Sequence, residues 1–533
     1  MQVINAERKN KGEILSSIVG GTFSLTLSTI IVKILGLIYK IPLSNMLGDE
    51  GMGYFNSAYT VFAFFYLLCT AGVPKAVMIL ISEAKAKGRI DEEKRIIKVA
   101  SGLFLTIGVI ITLAFILFSG PIALLIGNSR SAATMVAIAP SIIFISLSGV
   151  IRGFLSANMR LIDIAVSQII EGVGRLVLGL VFAMVAKGLK MSSPLISAFT
   201  ILGVTLGALF GLVYLVICAK FKINGQKTGQ SNKKINFKLI IKRILSISIP
   251  ITISAAIMSV TNIIDLGLIM RSLVKIGYTE AEASALYGNY TTLAVPMFNL
   301  ATSIITPISI AYLPLFTRHA INGDYDSLDM AQKNALEITS FVGAPMMIGL
   351  IVFAKEILRL LFSNSEIEIG AMLLCMISPA ILFSSLLMIV NTVLESYGRV
   401  KAPLISMLIG SLSKIVVSYL FITKSDLGIL GAPMGTLICY ATALFVSIII
   451  YSRVAKRHIP LFRTSIIPHI NAFVAVGMSR LCFEGMIFSL SESISLVISI
   501  LLAALLYVIL SMFTGALSVA KLIELSKYTK LTQ

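Results

Sequence analysis

The sequence predicts an all-α, polytopic membrane protein. Of its 533 residues, 57% are apolar and only 13% are charged, and the mean hydropathy is +0.95. A soluble globular chain does not need so much apolar surface. Apolar runs of about 20 residues, the length of helix that crosses the hydrocarbon core of a bilayer, recur from one end of the chain to the other.

These runs predict about fourteen transmembrane helices, with short connections between most of them. We place the spans, to within about three residues, at 16–44, 53–82, 97–118, 132–155, 161–187, 194–218, 244–271, 286–316, 332–354, 367–394, 402–423, 427–451, 466–484 and 493–520. The first run is longer than the apolar core of a signal peptide and contains Lys33, so we expect it to be a retained helix.

The distribution of basic residues predicts the orientation, because Lys and Arg near span ends stay on the cytoplasmic side. If both termini are cytoplasmic, most of the 44 Lys and Arg residues fall in cytoplasmic segments, above all in the loops 83–98 and 219–243. This topology also accounts for the net charge of +19. We therefore expect no nucleic-acid partner.

An internal repeat divides the first twelve spans into two pseudo-symmetric lobes of six helices. Six spans restore the starting orientation, so the two copies are parallel and related by an axis along the membrane normal. Five landmarks recur at one constant interval: Pro140 and Pro379, Arg160 and Arg399, Ser167 and Ser406, Arg175 and Lys414, and Pro194 and Pro433. The predicted parts are an N-terminal lobe at 1–219, a basic linker at 220–243, a C-terminal lobe at 244–455, and two extra helices with a cytoplasmic tail at 456–533.

Ionisable side chains inside the spans are candidates for function. Each costs at least ~2.5–3.5 kcal/mol near mid-membrane and normally faces a bundle interior or a watery cavity. The favoured set lies in spans one, two and seven, which a two-lobe arrangement would gather around one cavity: Lys33, Lys40, Lys75, Asp265 and Arg271. This set has four cations and one acid. The excess of positive charge predicts a substrate with phosphate or pyrophosphate, which the four cations would bind. Asp265 is the candidate for ion coupling, or a partner of Arg271.

Three further charges are secondary candidates. Glu171 and Arg175 are spaced i, i+4 on the fifth span and could neutralise each other. Lys414 occupies the mirrored position in the second lobe, where Gly410 stands in place of the acid. Other charges lie near span ends and are expected to reach the interface by snorkelling; they are Arg152, Asp163, Glu337, Glu395 and Arg480.

Prolines in the spans are candidate hinges, because they free backbone groups that must line a cavity or be satisfied locally. They are Pro74, Pro296 and Pro307, and ordinary packed kinks are the alternative. No enzyme signature occurs, since the three histidines are far apart and neither GxxxxGK[ST] nor HExxH is present. We expect no catalytic residue, metal or cofactor.

Four segments resemble the stage V sporulation protein B group of polysaccharide and lipid II transporters. Two carry the opening of the first lobe, GGTFSLTLSTIIVKILGLIYKIPLSNMLGDEGMGYFNSAYTVF at 20–62 and AGVPKAVMILISEAKAKGR at 71–89. Two carry the opening of the second, SIPITISAAIMSVTNIIDLGLIMRSL at 248–273 and YGNYTTLAVPMFNLATSIITPISIAYLP at 287–314. The group belongs to the multidrug/oligosaccharidyl-lipid/polysaccharide (MOP) exporter superfamily, whose two six-helix lobes work by alternating access and whose lipid II flippases add two helices.

The resemblance implies a flippase in the bacterial cytoplasmic membrane that moves an undecaprenyl-pyrophosphate-linked saccharide, in the first place lipid II. By resemblance, Lys33 stands where lipid II flippases carry a cavity arginine, and Asp265 matches an acid of the seventh span. Thr291 departs from the pattern, because many relatives carry arginine there. Lys414 replaces an asparagine of sodium-binding relatives, and its ammonium disfavours sodium. A proton gradient or the membrane potential is the expected energy source.

Other functions stay open at this point. A drug or metabolite cation antiporter of the same superfamily would have more acids than cations in its cavity. A flippase for a capsule or other polysaccharide unit would differ only in the saccharide. A membrane-embedded glycosyltransferase would need a large outer loop, whereas the predicted outer loops are short, and a scaffold in sporulation or division would tolerate loss of the interior charges. The oligomeric state is open, since a two-lobe monomer suffices.

Overall fold

The computed structural model describes residues 2–87, 89–224, 237–362, 366–399, 401–425, 427–457 and 459–516. Regular secondary structure in this part of the chain is entirely helical, which confirms the predicted all-α class. Its α-helices are α1 (Gln2–Thr70), α2 (Val73–Ala86), α3 (Ile90–Leu125), α4 (Ala132–Ile138), α5 (Ser141–Ala157), α6 (Leu161–Gly188), α7 (Ser193–Asn224), α8 (Phe237–Lys275), α9 (Glu280–Asn289), α10 (Val295–Asn322), α11 (Tyr325–Val352), α12 (Ala354–Leu361), α13 (Ile367–Ile377), α14 (Ala380–Ser396), α15 (Ala402–Lys424), α16 (Gly431–Ala455), α17 (Leu461–Met486) and α18 (Glu492–Phe513).

Helices of membrane-crossing length recur through these residues. Eleven segments of the described chain are long and apolar enough to cross a bilayer, or twelve if the bent pair Ser129–Ile138 and Ser141–Ala157 counts as one span. Large apolar side chains on several of them are exposed, including Leu117 at 75% and Phe473 at 70%. Such surfaces suit contact with lipid. The chain is a multi-span membrane protein.

The described chain has fewer candidate spans than the fourteen predicted, and part of this difference comes from the first helices. Ile31–Ala86 is one apolar stretch of 56 residues, about 84 Å of helix at 1.5 Å per residue, although the hydrocarbon core is only about 30 Å thick. It kinks at Gly48, whose φ of 67° is readily adopted by glycine. This stretch therefore contains most of the first two predicted spans. The seventh, 244–271, lies within α8, where some side chains fall outside the described residues, so the count of fourteen stays a prediction.

The two copies of the repeat share local structure. Pro140 and Pro379 each directly precede a 17-residue helix, α5 and α14, and have nearly identical backbone angles. Proline is accepted at a helix start because its missing N–H is not needed there. The turn after each helix contains one residue with positive φ, Met159 in the first copy and Gly398 in the second. These matching turns support the parallel repeat, while the lobe limits stay a prediction.

The first compact unit extends to Gly267 and so includes the first part of α8. Ile240 and Ile244 of α8 are buried in a core with residues of α2, α3, α5 and α7. Beside them, Arg243 Nη2 forms an ion pair with Glu83 Oε2 of α2 at 2.7 Å. The compact unit therefore ends later in the chain than the predicted N-terminal lobe, because the start of α8 packs with helices of that lobe.

The second compact unit begins at Leu268. Its main core is formed by residues of α10, α11, α14 and α16. The two extra helices, α17 and α18, share a separate core with α11, and Tyr507 Oη of α18 donates to the carbonyl oxygen of Phe341 at 2.8 Å. Both extra helices therefore belong to this unit and pack within it against α11.

Candidate functional site

Close packing of α6 and α7 positions the candidate site of the first unit. Glycine recurs at every fourth position of α7, at Gly203, Gly207 and Gly211. A Cβ atom at Gly207 would lie 2.7 Å from the carbonyl oxygen of Glu171 and 2.8 Å from the backbone nitrogen of Arg175. Small residues at this spacing let two helix backbones approach each other in membranes. The contact fixes the segment of α6 that carries Glu171 and Arg175.

Glu171 forms an ion pair with an arginine of a different helix. Arg152 of α5 donates from Nη2 to Glu171 Oε2 at 3.0 Å, and the two side chains are only 12% and 23% exposed. The ion pair of Glu171 is therefore made with Arg152 and not with Arg175, the partner that the i, i+4 spacing offered. The expectation that Arg152 snorkels to a span end is wrong, because α5 packs this side chain against α6.

An aromatic face of α1 contacts the second arginine. Phe55, Tyr59, Phe62 and Tyr66 are spaced three or four residues apart and so share one helix face, with neighbouring ring centroids 5.8 to 6.3 Å apart. Arg175 Nη1 donates to Tyr59 Oη at 3.4 Å. The aromatic spacing is visible in the sequence, and it is the signal by which sequence reasoning could have found this face.

These side chains form one electrostatic group, which we call the N-terminal charge cluster: Tyr39, Tyr59, Tyr66, Arg152, Glu171 and Arg175. Tyr66 lies near enough to Arg152, Glu171 and Arg175 to interact with their charges, and Tyr39 interacts with Arg175. The cluster contains two guanidinium groups and a single carboxylate, so positive charge is in excess. Such a group in a low-dielectric interior attracts anions, and arginine can bind phosphate through two parallel hydrogen bonds.

The predicted substrate ligands lie on three helices. Lys33 and Lys40 are on α1, and Lys75 is in the first turn of α2; Lys33 and Lys75 are exposed and Lys40 is half-buried. Asp265 of α8 is 8% exposed. Arg271 lies on the same helix but belongs to the second compact unit. A joint role of these five residues in one cavity stays a prediction.

The candidate hinge prolines occupy two kinds of position. Pro74 lies in the first turn of α2, after the break that follows α1, where proline costs no helical hydrogen bond. Pro296 directly follows a π-helical turn at Tyr290–Ala294, an irregularity that often accompanies functional sites. Pro307 lies inside the continuous α10, where it does remove a hydrogen bond. A break between helices thus precedes Pro74, whereas Pro296 and Pro307 lie inside the helical run Glu280–Asn322. The three hinge roles stay predictions.

In the second unit, Lys414 lies half-buried on α15. Arg480 of α17, also expected to snorkel, donates from Nη1 to Glu356 Oε1 of α12 at 2.7 Å. Its guanidinium lies 5.7 and 5.1 Å from the ring centroids of Phe353 and Phe483. Ion pairing and cation–π contact together hold α17 on α12, so Arg480 has a structural role.

The chain matches two protein families. Residues 18–319 match the family described as "Polysaccharide biosynthesis protein", which is more than half of the 533 residues. The chain belongs to this family. Residues 290–420 also match the MatE family. The polysaccharide biosynthesis match contains the whole N-terminal charge cluster.

Several curated proteins are similar to this polysaccharide biosynthesis protein family member. Stage V sporulation protein B of Bacillus subtilis (strain 168) is 25% identical over 418 residues, which cover 78% of this chain and 80% of the relative. The lipid II flippase MurJ of the same organism is 24% identical over 462 residues, covering 82% and 83% of the two chains. The resemblance seen in the sequence is confirmed.

Solved structures show the same fold. The lipid II flippase MurJ in an inward closed conformation matches with a TM-score of 0.70 at 18% identity, covering 92% of this chain and 98% of that one. An inward-facing multidrug resistance MATE family transporter of the MOP superfamily matches with a TM-score of 0.63 at 14% identity, covering 82% and 98%. This member of the polysaccharide biosynthesis protein family therefore has the MurJ- and MATE-like fold of the MOP superfamily.

Proposed function

We propose that this protein is a flippase that moves an undecaprenyl-pyrophosphate-linked saccharide, in the first place lipid II, across the bacterial cytoplasmic membrane by alternating access. The observation that carries the proposal is the excess of cations inside the first unit, where Glu171 pairs with Arg152 and Arg175 contacts the Tyr59 hydroxyl. Both termini are proposed to lie in the cytoplasm. Membrane lipids surround the protein.

The chemistry of the substrate explains why this arrangement fits. A lipid-linked saccharide carries its negative charge on the diphosphate, which is the part that must leave water during transport. Arginine and lysine replace water as partners of phosphate oxygens, and their attraction is stronger in a low-dielectric interior. The similarity to a lipid II flippase and to stage V sporulation protein B supports the same substrate class.

A second candidate is a drug or metabolite cation antiporter, which the MatE match at residues 290–420 favours. A cationic drug would, however, be repelled by Arg152 and Arg175. A flippase for a capsule or other polysaccharide unit shares the diphosphate and therefore the same interior cations. The saccharide alone separates that candidate from lipid II.

Complementation tests the leading proposal. A bacterium depleted of its lipid II flippase is expected to regain growth when it expresses the wild-type chain. Lys33→Ala and Lys75→Ala are each expected to reduce rescue by about tenfold or more, because a lost charge-assisted contact costs about 1.5–3 kcal/mol and about 1.4 kcal/mol corresponds to a factor of ten. Colony counts at equal membrane abundance provide the measurement.

Lys187→Ala is the matched control, because Lys187 is an exposed lysine in the last turn of α6. This variant is expected to rescue growth fully. If the wild-type chain is inserted in the membrane but does not rescue growth, lipid II is excluded as the substrate. Another undecaprenyl-linked saccharide would then be the expected substrate. Full rescue by both alanine variants would remove Lys33 and Lys75 from the site while retaining the function.

The proposed energy source is a proton gradient or the membrane potential, with Asp265 as the coupling acid and no cofactor. Lys414 disfavours sodium coupling, since an ammonium repels a nearby cation. In liposomes with fluorescent lipid II, replacing sodium by potassium is expected to leave the initial flipping rate unchanged. Collapse of the proton and electrical gradients is expected to lower the rate, and a strict sodium requirement would refute this coupling scheme.

A further inference from the structure

The N-terminal charge cluster contains more hydrogen-bond donors than its own acceptors use. Arg152 donates from Nη2 to Glu171, and Arg175 donates from Nη1 to Tyr59. Arg152 Nε and the Tyr39 hydroxyl are buried and have no hydrogen-bond partner in the described part of the chain. Buried polar groups are normally satisfied. A ligand with acceptor oxygens beside Arg152 would satisfy its Nε.

The charges of the cluster point to the same kind of ligand. Glu171 can balance only one of the two guanidinium groups, and an unbalanced charge within a membrane protein is costly. A phosphate group supplies both negative charge and acceptor oxygens, and it matches the planar fork of arginine. The cluster is therefore built for one more anion than it contains.

Glu171 reaches Arg152 through a flexible side chain. The α6 backbone is held against α7, so the carboxylate can leave Arg152 only by rotation about its own side-chain bonds. A Cβ atom at Gly211 would lie 3.3 Å from the Glu171 Cβ and 3.7 Å from its Oε2. The side chain therefore passes beside this glycine when it pairs with Arg152.

We propose that Glu171 is a built-in counter-anion that the substrate's phosphate groups displace from Arg152. The inference rests on the proposed function and names where the first unit receives the diphosphate. In the bound state, Arg152 and Arg175 hold phosphate oxygens, while the Glu171 carboxylate turns away from Arg152. When the substrate leaves, Glu171 returns to Arg152, so the site releases a ligand that two arginines alone would retain.

Binding of undecaprenyl diphosphate to the full chain in detergent tests this inference. Glu171→Gln is expected to bind this lipid about tenfold more tightly than the wild type. The reason is that the neutral amide competes less strongly than the carboxylate with the phosphate groups for Arg152. The neutral lipid undecaprenol is expected to show no gain. Flipping by Glu171→Gln in liposomes is expected to be slower, because release is no longer assisted. A purely structural ion pair would predict lower stability without tighter binding.

Glu484→Gln is the matched control. Glu484 is an exposed carboxylate beside Arg480, and its replacement is expected to leave affinity unchanged. Equal or weaker binding by Glu171→Gln would overturn the counter-anion role and leave the proposed function standing, provided that the wild type binds the diphosphate. A wild type that does not distinguish undecaprenyl diphosphate from undecaprenol would overturn both.

A second variant keeps the test decisive if Glu171→Gln does not fold. Glu171→Asp retains the charge but draws the carboxylate back by one methylene group, which weakens its contact with Arg152. It is expected to bind undecaprenyl diphosphate more tightly than the wild type does. Equal or weaker binding by this variant would likewise overturn the role of Glu171.

Discussion

Replacement of Arg152 by alanine is expected to destabilise the protein by up to about 3 kcal/mol, the lower end of the cost of removing one partner from a buried ion pair, because this pair is part-buried. The Glu171 carboxylate would remain inside the first unit without its 3.0 Å partner. The expected result is a large drop in the apparent melting temperature of the purified chain in detergent. Transport is expected to be lost as well, because the diphosphate loses a guanidinium.

A double variant separates the loss of stability from the loss of transport. Arg152→Leu combined with Glu171→Leu removes both charges and is expected to recover most of the lost stability, since a buried ion pair is often no better than an apolar pair of similar volume. Transport should not recover. A double variant that regains both stability and flipping would show that the cluster is only structural.

Arg89→Ala provides the control for Arg152. Arg89 forms an ion pair with Glu92 one helical turn away, and its side chain is 40% exposed. Pairs of this kind contribute about 0 to 1 kcal/mol, so the melting temperature is expected to change little. An equally small change for Arg152→Ala would mean that Glu171 reaches water or another partner in the native protein.

Local patterns were sufficient to predict much of the fold. The apolar runs predict the helices, because length and hydropathy are properties of each segment alone. Pro140 and Pro379 mark equivalent helix starts, because proline restricts the backbone wherever it stands. By contrast, the second predicted span, 53–82, runs through the break between Thr70 and Val73, and only the candidate hinge Pro74 marks this place in the sequence. Apolar residues continue through that break, so hydropathy carries no sign of it.

The charge cluster could be predicted only in part. Glu171 and Arg175 are candidates because they are charges inside a predicted span, and the i, i+4 rule offers only a partner on the same helix. Arg152 lies on a different helix, and its partner depends on how α5 packs against α6. Two signals could have narrowed the choice: the aromatic face of α1 from Phe55 to Tyr66, and the glycine repeat of α7, which predicts close helix packing.

The glycine repeat leads to the second large expected effect, which is that a methyl group at position 207 forces α6 and α7 apart. In Gly207→Ala, the new Cβ would meet the carbonyl oxygen of Glu171 at 2.7 Å and the nitrogen of Arg175 at 2.8 Å. Both atoms belong to a helix backbone, so neither can yield as a flexible side chain would. Overpacking of this kind costs about 1 to 3 kcal/mol, and the apparent melting temperature is expected to fall.

The same substitution is expected to slow flipping, because the displaced segment of α6 carries both Glu171 and Arg175. Gly102→Ala on α3 is the control, since a Cβ there would meet nothing within 4 Å. That change is expected to leave flipping intact and to raise stability by about 0.5 to 1 kcal/mol through helix propensity. If Gly207→Ala is as stable and as active as Gly102→Ala, the helices must separate at this point in the native protein. The position of the charge cluster would then depend on contacts other than the α6–α7 packing.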